Sequence, residues 1–161
     1  MAKIEASLEK MGLILPEPLK VPAGVTVLFK QVLVRGNHAY IAGHAPQNPD
    51  GTIARPLGKV GQELTVEQGQ HAAKLVAVSM LADLKRALGD LDRVASWLKV
   101  FGMVNVAPGF NQTTAVINGF SELILTLYGP ERGAHTRSAV GMAALPLDIP
   151  VEVEAEVEIS T

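Results

Sequence analysis

A chain of 161 residues with a formal charge of −2 and 48% hydrophobic residues is sized for one domain, residues 1–161, able to bury roughly 70% of the surface its unfolded form exposes. Scattered Lys and Arg argue against a nucleic-acid surface, no apolar run approaches the ~18 residues of a membrane span, and the absence of cysteine excludes disulfide and thiolate chemistry. The charged opening MAKIEASLEKMG lacks a signal-peptide core, so a cytoplasmic location is expected.

Residues 3–12 read as a short helix with Ile4, Leu8 and Met11 on one side. The prolines of LPEPLKVPAG end it, making residues 1–20 a short helix and an extended lead-in. VTVLFKQVLVRGNHAYIAG reads as two strands around a Gly36-Asn37 turn. Residues 44–64, rich in proline and glycine, form a long loop, the kind that carries function or moves. Thr65 and Gln68 make a capping box for a helix with Ala73, Val76, Met80, Leu84, Ala87 and Leu91 on its stripe and Gly89 near its end. RVASWLKVFGMVNV is a buried strand. A second helix, capped by Asn111 or Thr113, carries Val116, Ile117, Phe120, Leu123, Ile124, Leu127 and Tyr128 and stops at Gly129-Pro130. Strands at 136–144 and 151–159 complete the chain.

Two helices with one apolar stripe each most simply cover one face of a single sheet, an α+β arrangement. In VEVEAEVEI the residues Val151, Val153, Ala155, Val157 and Ile159 then face the helices, and Glu152, Glu154, Glu156 and Glu158 face away. A solvated face explains those glutamates as well as a buried one. Neighbouring strands that are apolar on both faces favour cover by another subunit, where carboxylates need Arg, Lys or water as partners.

The common catalytic motifs are missing. His38, His44, His71 and His135 have no metal-ligand spacing, so no metal is expected. There is no phosphate-binding loop, dinucleotide fingerprint or nucleophile elbow, and no cofactor is expected. Glu67 and His71 at i, i+4 fall in a first helical turn, where dipole and surface pairing account for them.

RSAVGMAALPLDIPVEVEAEVE resembles the C-terminal signature of the reactive intermediate deaminase family (RidA/YjgF-like, endoribonuclease L-PSP-like): Arg-Ser, a small apolar strand, Leu-Pro, a turn, and an alternating Val-Glu strand. YIAGHAPQNPDG, the Gln68, Ala72, Leu75 spacing, and INGFSELI are similar to further family segments, over about residues 25–160. The resemblance implies a chorismate-mutase-like α+β fold with one mixed sheet and two helices on one face. It also implies a homotrimer with clefts between subunits. Active members bind a 2-imino or 2-enamino acid there and hydrolyse it to a 2-keto acid and ammonia. By position, the substrate-gripping arginine is Arg137, the water-handling carboxylate Glu152, the pocket-lining glycine Gly43 and the helix asparagine Asn118. A guanidinium forking onto a carboxylate is the chemistry such a substrate needs. Arg137 has a second reading as a structural partner of Glu152 or another strand glutamate.

Several positions depart from the family. Phe29 stands where deaminases carry a tyrosine, Ala42 where they carry a serine, His44 where a glutamine is frequent and Ala139 where a cysteine is common. The resemblance therefore describes a divergent branch with a more hydrophobic pocket. His44 is either a replacement acid or base or a solvent-facing loop residue, the second being slightly preferred. The function expected is imine or enamine hydrolysis. The alternative is a non-catalytic trimeric protein that binds or senses a small carboxylate-bearing metabolite. A chorismate-mutase-type rearrangement rests on fold analogy alone. Ribonuclease activity is the least favoured, given the lack of a basic stripe.

Overall fold

The structure, a computed structural model, describes residues 3–160; Met1, Ala2 and Thr161 of the expected domain lie outside the described residues. In chain order the elements are α1 (Lys3–Lys10), β1 (Val32–Arg35), β2 (His38–His44), α2 (Val66–Leu88), β3 (Val94–Asn105), α3 (Thr113–Arg132), β4 (Thr136–Met142) and β5 (Val151–Ile159). The strands form one mixed sheet in the order β1-β2-β5-β3-β4, antiparallel except for the parallel pair β3 and β4.

The capping box forms as its residues dictate. The Thr65 hydroxyl accepts from the Gln68 N–H while the Gln68 side chain accepts from the Thr65 N–H. Gly89, in the left-handed conformation at φ 81°, ends α2. The α3 stripe from Val116 to Tyr128 is buried in full. It lies with the inner residues of α2 against Val151, Val153, Ala155, Val157 and Ile159. Trp97 of β3 meets Phe120 and Tyr128 edge-on, each with ring centroids 5.9 Å apart. Ile4 and Leu8 of α1 join the same core.

Some local expectations fail for identifiable reasons. Residues 25–31 are not a strand. A turn from Pro22 to Val25, with Gly24 at φ 85°, redirects the chain, and regular pairing starts only at Val32. Ala87 is exposed, on the outer side of the last turn of α2, which ends one residue later. Neither Asn111 nor Thr113 caps α3. Gln112 holds the cap position without a side-chain bond, and the Thr113 hydroxyl donates to the Ala139 carbonyl on β4. Gly129, at φ 77° and ψ 175°, breaks the helical path but does not end it; one further turn runs to Arg132. That turn lets the Arg132 guanidinium reach the carbonyls of Asp92 and Val94.

Candidate functional site

The side of the sheet away from the helices carries the glutamate row. Cross-strand pairing sets Glu152 beside Met103, Glu154 beside Phe101 and Glu156 beside Lys99 and Tyr40. At one end of this face a cavity of about 290 Å³ lies between the sheet, the irregular segment 19–31 and the 145–149 turn. Val25, Val27, Phe29, Leu147 and Ile149 supply apolar walls, and Gly43, His44, Asp83 and Glu152 supply the polar floor. Phe29 is 59% exposed and also borders a second, shallower hollow over Tyr40, Phe101 and Glu154. Ala42 lines that second hollow rather than the first.

The floor depends on a bulge. Ile41 pairs with Ala155 while His44 pairs with Val153, so β2 spends one residue more than β5 over this interval. The extra residue reverses the alternation. His44 therefore points to the helix side, only 3% exposed, instead of joining Glu152 on the open side. The reading of His44 as a solvent-facing loop residue is corrected by this geometry. Its Nε2 lies 2.9 Å from Asp83 Oδ2 and its Nδ1 2.7 Å from the Ala42 carbonyl. Asp83 also accepts two bonds from Arg86, from Nε at 2.9 Å and Nη2 at 2.7 Å, both on Oδ1. Burial opposes charge on Asp83, but these bonds from His44 and Arg86 outweigh it and hold its carboxyl below the usual range.

Gly43 makes room for Glu152. A Cβ placed on Gly43 would stand 2.7 Å from Glu152 Oε2 and 2.9 Å from Cδ, so the carboxylate rests directly on the glycine backbone. No hydrogen bond reaches that carboxylate among the described residues. Burial and the adjacent Glu154 charge push its carboxyl up from the ordinary glutamate range, and His44 pulls it partly back.

Arg137 sits elsewhere. Its β4 position pairs with Val100, which pairs with Ala155, so Arg137 lies on the helix side at the sheet edge. Glu152 lies on the opposite side. Within one chain Arg137 therefore meets none of the strand glutamates. Its Nη1 donates to Asn118 Oδ1 at 3.0 Å and to Ser121 Oγ at 2.9 Å, and Nη2 donates to the Thr114 carbonyl at 3.2 Å. The structure thus brings Arg137 and Asn118 together. Ser121 is held in turn by His135, whose Nε2 is 2.9 Å from Oγ and whose Nδ1 is 2.7 Å from the Gly133 carbonyl. A guanidinium has five N–H donors. The Nε–H and one of the two Nη2–H groups keep no partner among the described residues. Burial lowers the guanidinium below its ordinary value without discharging it. Ala139 is half-buried two places on, its carbonyl held by Thr113.

Sequence reasoning missed Asp83, Arg86, Ser121, His135 and Thr114. Ser121 stands one turn after Asn118 and was within reach of a spacing argument. Asp83 with Arg86 at i, i+3 looks like any surface pair until the bulge at Gly43 delivers a histidine to it.

A five-stranded mixed sheet backed on one side by α-helices, with a polar-floored cavity on the other, defines a single-sheet α+β class of protein. The model of the family described as "YjgF/chorismate mutase-like, putative endoribonuclease" matches residues 6–156, and the chain belongs to that family. It is 37% identical to Protein TCP17 of Trypanosoma cruzi over 158 residues, 98% of this chain and 95% of the other. Among solved structures it is similar to the protein Atu1372 of Agrobacterium tumefaciens, with 39% identity, a TM-score of 0.86, and coverage of 99% and 93% of the two chains. A protein of Shewanella oneidensis MR-1 bearing the family's endoribonuclease name is similar at 26% identity and a TM-score of 0.87, with 98% and 99% covered. No helix among the described residues is long and apolar enough to cross a membrane.

Proposed function

We propose that this protein hydrolyses 2-imino and 2-enamino acids to 2-keto acids and ammonia, in clefts between the subunits of a homotrimer. The observation that carries the reading is the division of the site. Arg137 offers two unspent N–H donors on one side of the sheet. Glu152 offers an unpaired carboxylate on the other. Neither half can serve one substrate alone, and a second copy of the chain brings one to the other.

In this reading the Arg137 edge grips the substrate carboxylate by two parallel hydrogen bonds, each charge-assisted bond contributing ~1.5–3 kcal/mol. Asn118, Ser121 and Thr114 fix the guanidinium plane so that the edge is presented without rearrangement. Glu152 accepts a proton from water as its oxygen adds to the imine carbon, and the imine nitrogen takes up a proton. The amine nitrogen takes the proton held by Glu152, and the tetrahedral carbon expels ammonia as its hydroxyl gives a proton back to Glu152 and the carbonyl forms. Enamines enter by protonation at carbon to give the imine. The cavity beside Glu152 is walled by Val25, Val27, Phe29 and Leu147, which suits apolar side chains. Phe29, Ala42 and Ala139 contribute no side-chain hydroxyl or thiol, so small imino acids derived from serine or threonine react weakly.

The test uses 2-imino acids generated in situ by an amino-acid oxidase, with their decay followed for the wild type, Arg137→Ala and Glu152→Gln. Acceleration by the wild type that is lost in both variants supports the reading. Decay of every imine at the spontaneous rate rejects it and favours a non-catalytic carboxylate-binding trimer. Acceleration that survives Glu152→Gln removes Glu152 from the mechanism.

A further inference from the structure

We infer that His44 is a fixed imidazolium, buried behind Gly43 with both N–H groups spent on Asp83 and the Ala42 carbonyl, and that it sets a fixed positive charge at the floor of the cavity that Glu152 lines. The protonation of His44 stands on its own geometry. Its consequence for catalysis rests on the role proposed for Glu152.

A backbone carbonyl can only accept, so Nδ1 at 2.7 Å from the Ala42 oxygen carries a hydrogen. Nε2 at 2.9 Å from Asp83 Oδ2 needs a hydrogen between them, from one side or the other. Asp83 is already committed as an acceptor, since Arg86 donates two N–H groups to its other oxygen and a guanidinium has no acceptor site. Those bonds hold the Asp83 carboxyl below the usual range, so the proton belongs to the ring, and an imidazole that donates at both nitrogens is cationic. Arg86 is anchored as well, through Nη1 to the Pro16 carbonyl at 2.9 Å. The series Arg86, Asp83, His44 alternates in charge and ends beneath the cavity floor.

A histidine bound at both nitrogens and 3% exposed cannot carry protons to or from a substrate. It can act only through its field, and Glu152 is the group placed to feel it. The charges facing Glu152 are few. From β5 comes Glu154, which disfavours its ionisation; from β2 comes His44, which favours it. From α2, Asp83 and Arg86 stand behind His44 and pair with each other. From the 145–149 turn, Asp148 accepts from Asn105. Lys30 and Lys99 line the neighbouring hollow with Glu154 and Glu156. From β3 the cross-strand neighbour is Met103, without charge. Burial and Glu154 both favour the protonated, inert form of Glu152. Within one copy of the chain His44 is the one opposing influence resolved at that carboxyl; in the proposed trimer the Arg137 guanidinium of a neighbouring copy adds to it.

The experiment is NMR on the intact protein with ¹⁵N-labelled histidine and ¹³C-carboxyl-labelled glutamate. His44→Gln and Glu152→Gln assign the two signals. The expected result is that both His44 ring nitrogens carry hydrogen at pH 7, and that the Glu152 titration moves to higher pH in His44→Gln. Glutamine keeps a donor for Asp83 or for Ala42, so this variant retains part of the bonding. Asp83→Asn gives an independent route, with loss of the second ring proton expected and circular dichroism confirming the fold. A His44 ring with one bare nitrogen at pH 7, or a Glu152 titration unmoved by His44→Gln, overturns the inference. These readouts do not need turnover. Should no imine be hydrolysed while the Glu152 titration still shifts, the proposed function fails and the role of His44 stands. With turnover present, the acid limb of the pH–rate profile shifts to higher pH in His44→Gln.

Discussion

Gly43→Ala separates the space Glu152 needs from the fold that supplies it. The added Cβ would sit 2.7 Å from Glu152 Oε2, 2.9 Å from Cδ and 3.1 Å from Cγ. Ordinary contact begins at 3.4 Å, so the carboxylate must retreat by about 0.7 Å. Only the far end of a flexible side chain has to move, and Gly43 does not occupy a positive-φ conformation, so the backbone tolerates alanine. Stability should change little. The clash is offset by the ~0.4–1 kcal/mol that alanine gains over glycine through the unfolded chain. Catalysis should not survive so well, because a displacement near 1 Å at a reacting group can cost ~10²-fold. The assay is the decay of an in situ 2-imino acid, with thermal unfolding measured on the same sample. The expected outcome is a fall in kcat on the order of 10²-fold with a melting temperature within ~2 °C of wild type. Wild-type turnover in a folded Gly43→Ala would refute the claim that this glycine positions Glu152.

Other substitutions probe different links. A Cβ on Gly119 would stand 2.0 Å from the Gln70 carbonyl oxygen, backbone against backbone where α3 crosses α2; Gly119→Ala should cost ~3 kcal/mol, read as a drop of roughly 6–12 °C in melting temperature. The Glu152 carboxyl is raised in the fold, so its protonated form is favoured there and that stability is lost as pH rises through the raised value. Glu152→Gln should therefore be more stable than wild type at pH 8, toward the low end of ~0.5–2 kcal/mol because the group is partly solvated; urea unfolding should show the gain shrinking as pH falls into the ordinary carboxylate range. Arg137→Ala should abolish 2-keto acid binding by calorimetry without unfolding the protein, and Arg137→Lys should recover only part, since a point charge lacks the two-pronged edge.

The elements that the sequence revealed are those governed by local rules. The capping box at Thr65 and Gln68, the left-handed Gly89 and the 3.6-residue stripe of α3 each depend on residues within a turn or two. The alternation of Val151–Ile159 predicted its buried side because one face of β5 meets the helices. Features set by pairing partners were illegible. Residues 25–31 have strand composition, yet the chain turns at Gly24 and finds regular pairing only from Val32. One extra residue in β2 sends His44 to the helix side; Gly43 within YIAGHAP is the kind of residue that accompanies a bulge, but the shift itself is set by the pairing with β5. The resemblance named Arg137 and Glu152 together, whereas register puts them on opposite sides of the sheet. That separation turns the candidate site into a question about two copies of the chain.

Mixing two inactive variants tests that question most directly. Arg137→Ala keeps Glu152 and Glu152→Gln keeps Arg137; each alone should be inactive on 2-imino acids. If each cleft draws its arginine from one copy and its glutamate from the neighbour, unfolding and refolding an equal mixture restores both native groups in about one cleft in four. Co-refolding should recover roughly a quarter of wild-type imine hydrolysis per cleft, and none should appear when the folded variants are merely combined and do not exchange subunits. A co-refolded mixture that stays inactive, beside wild type refolded by the same procedure to full activity, would contradict a site shared between copies.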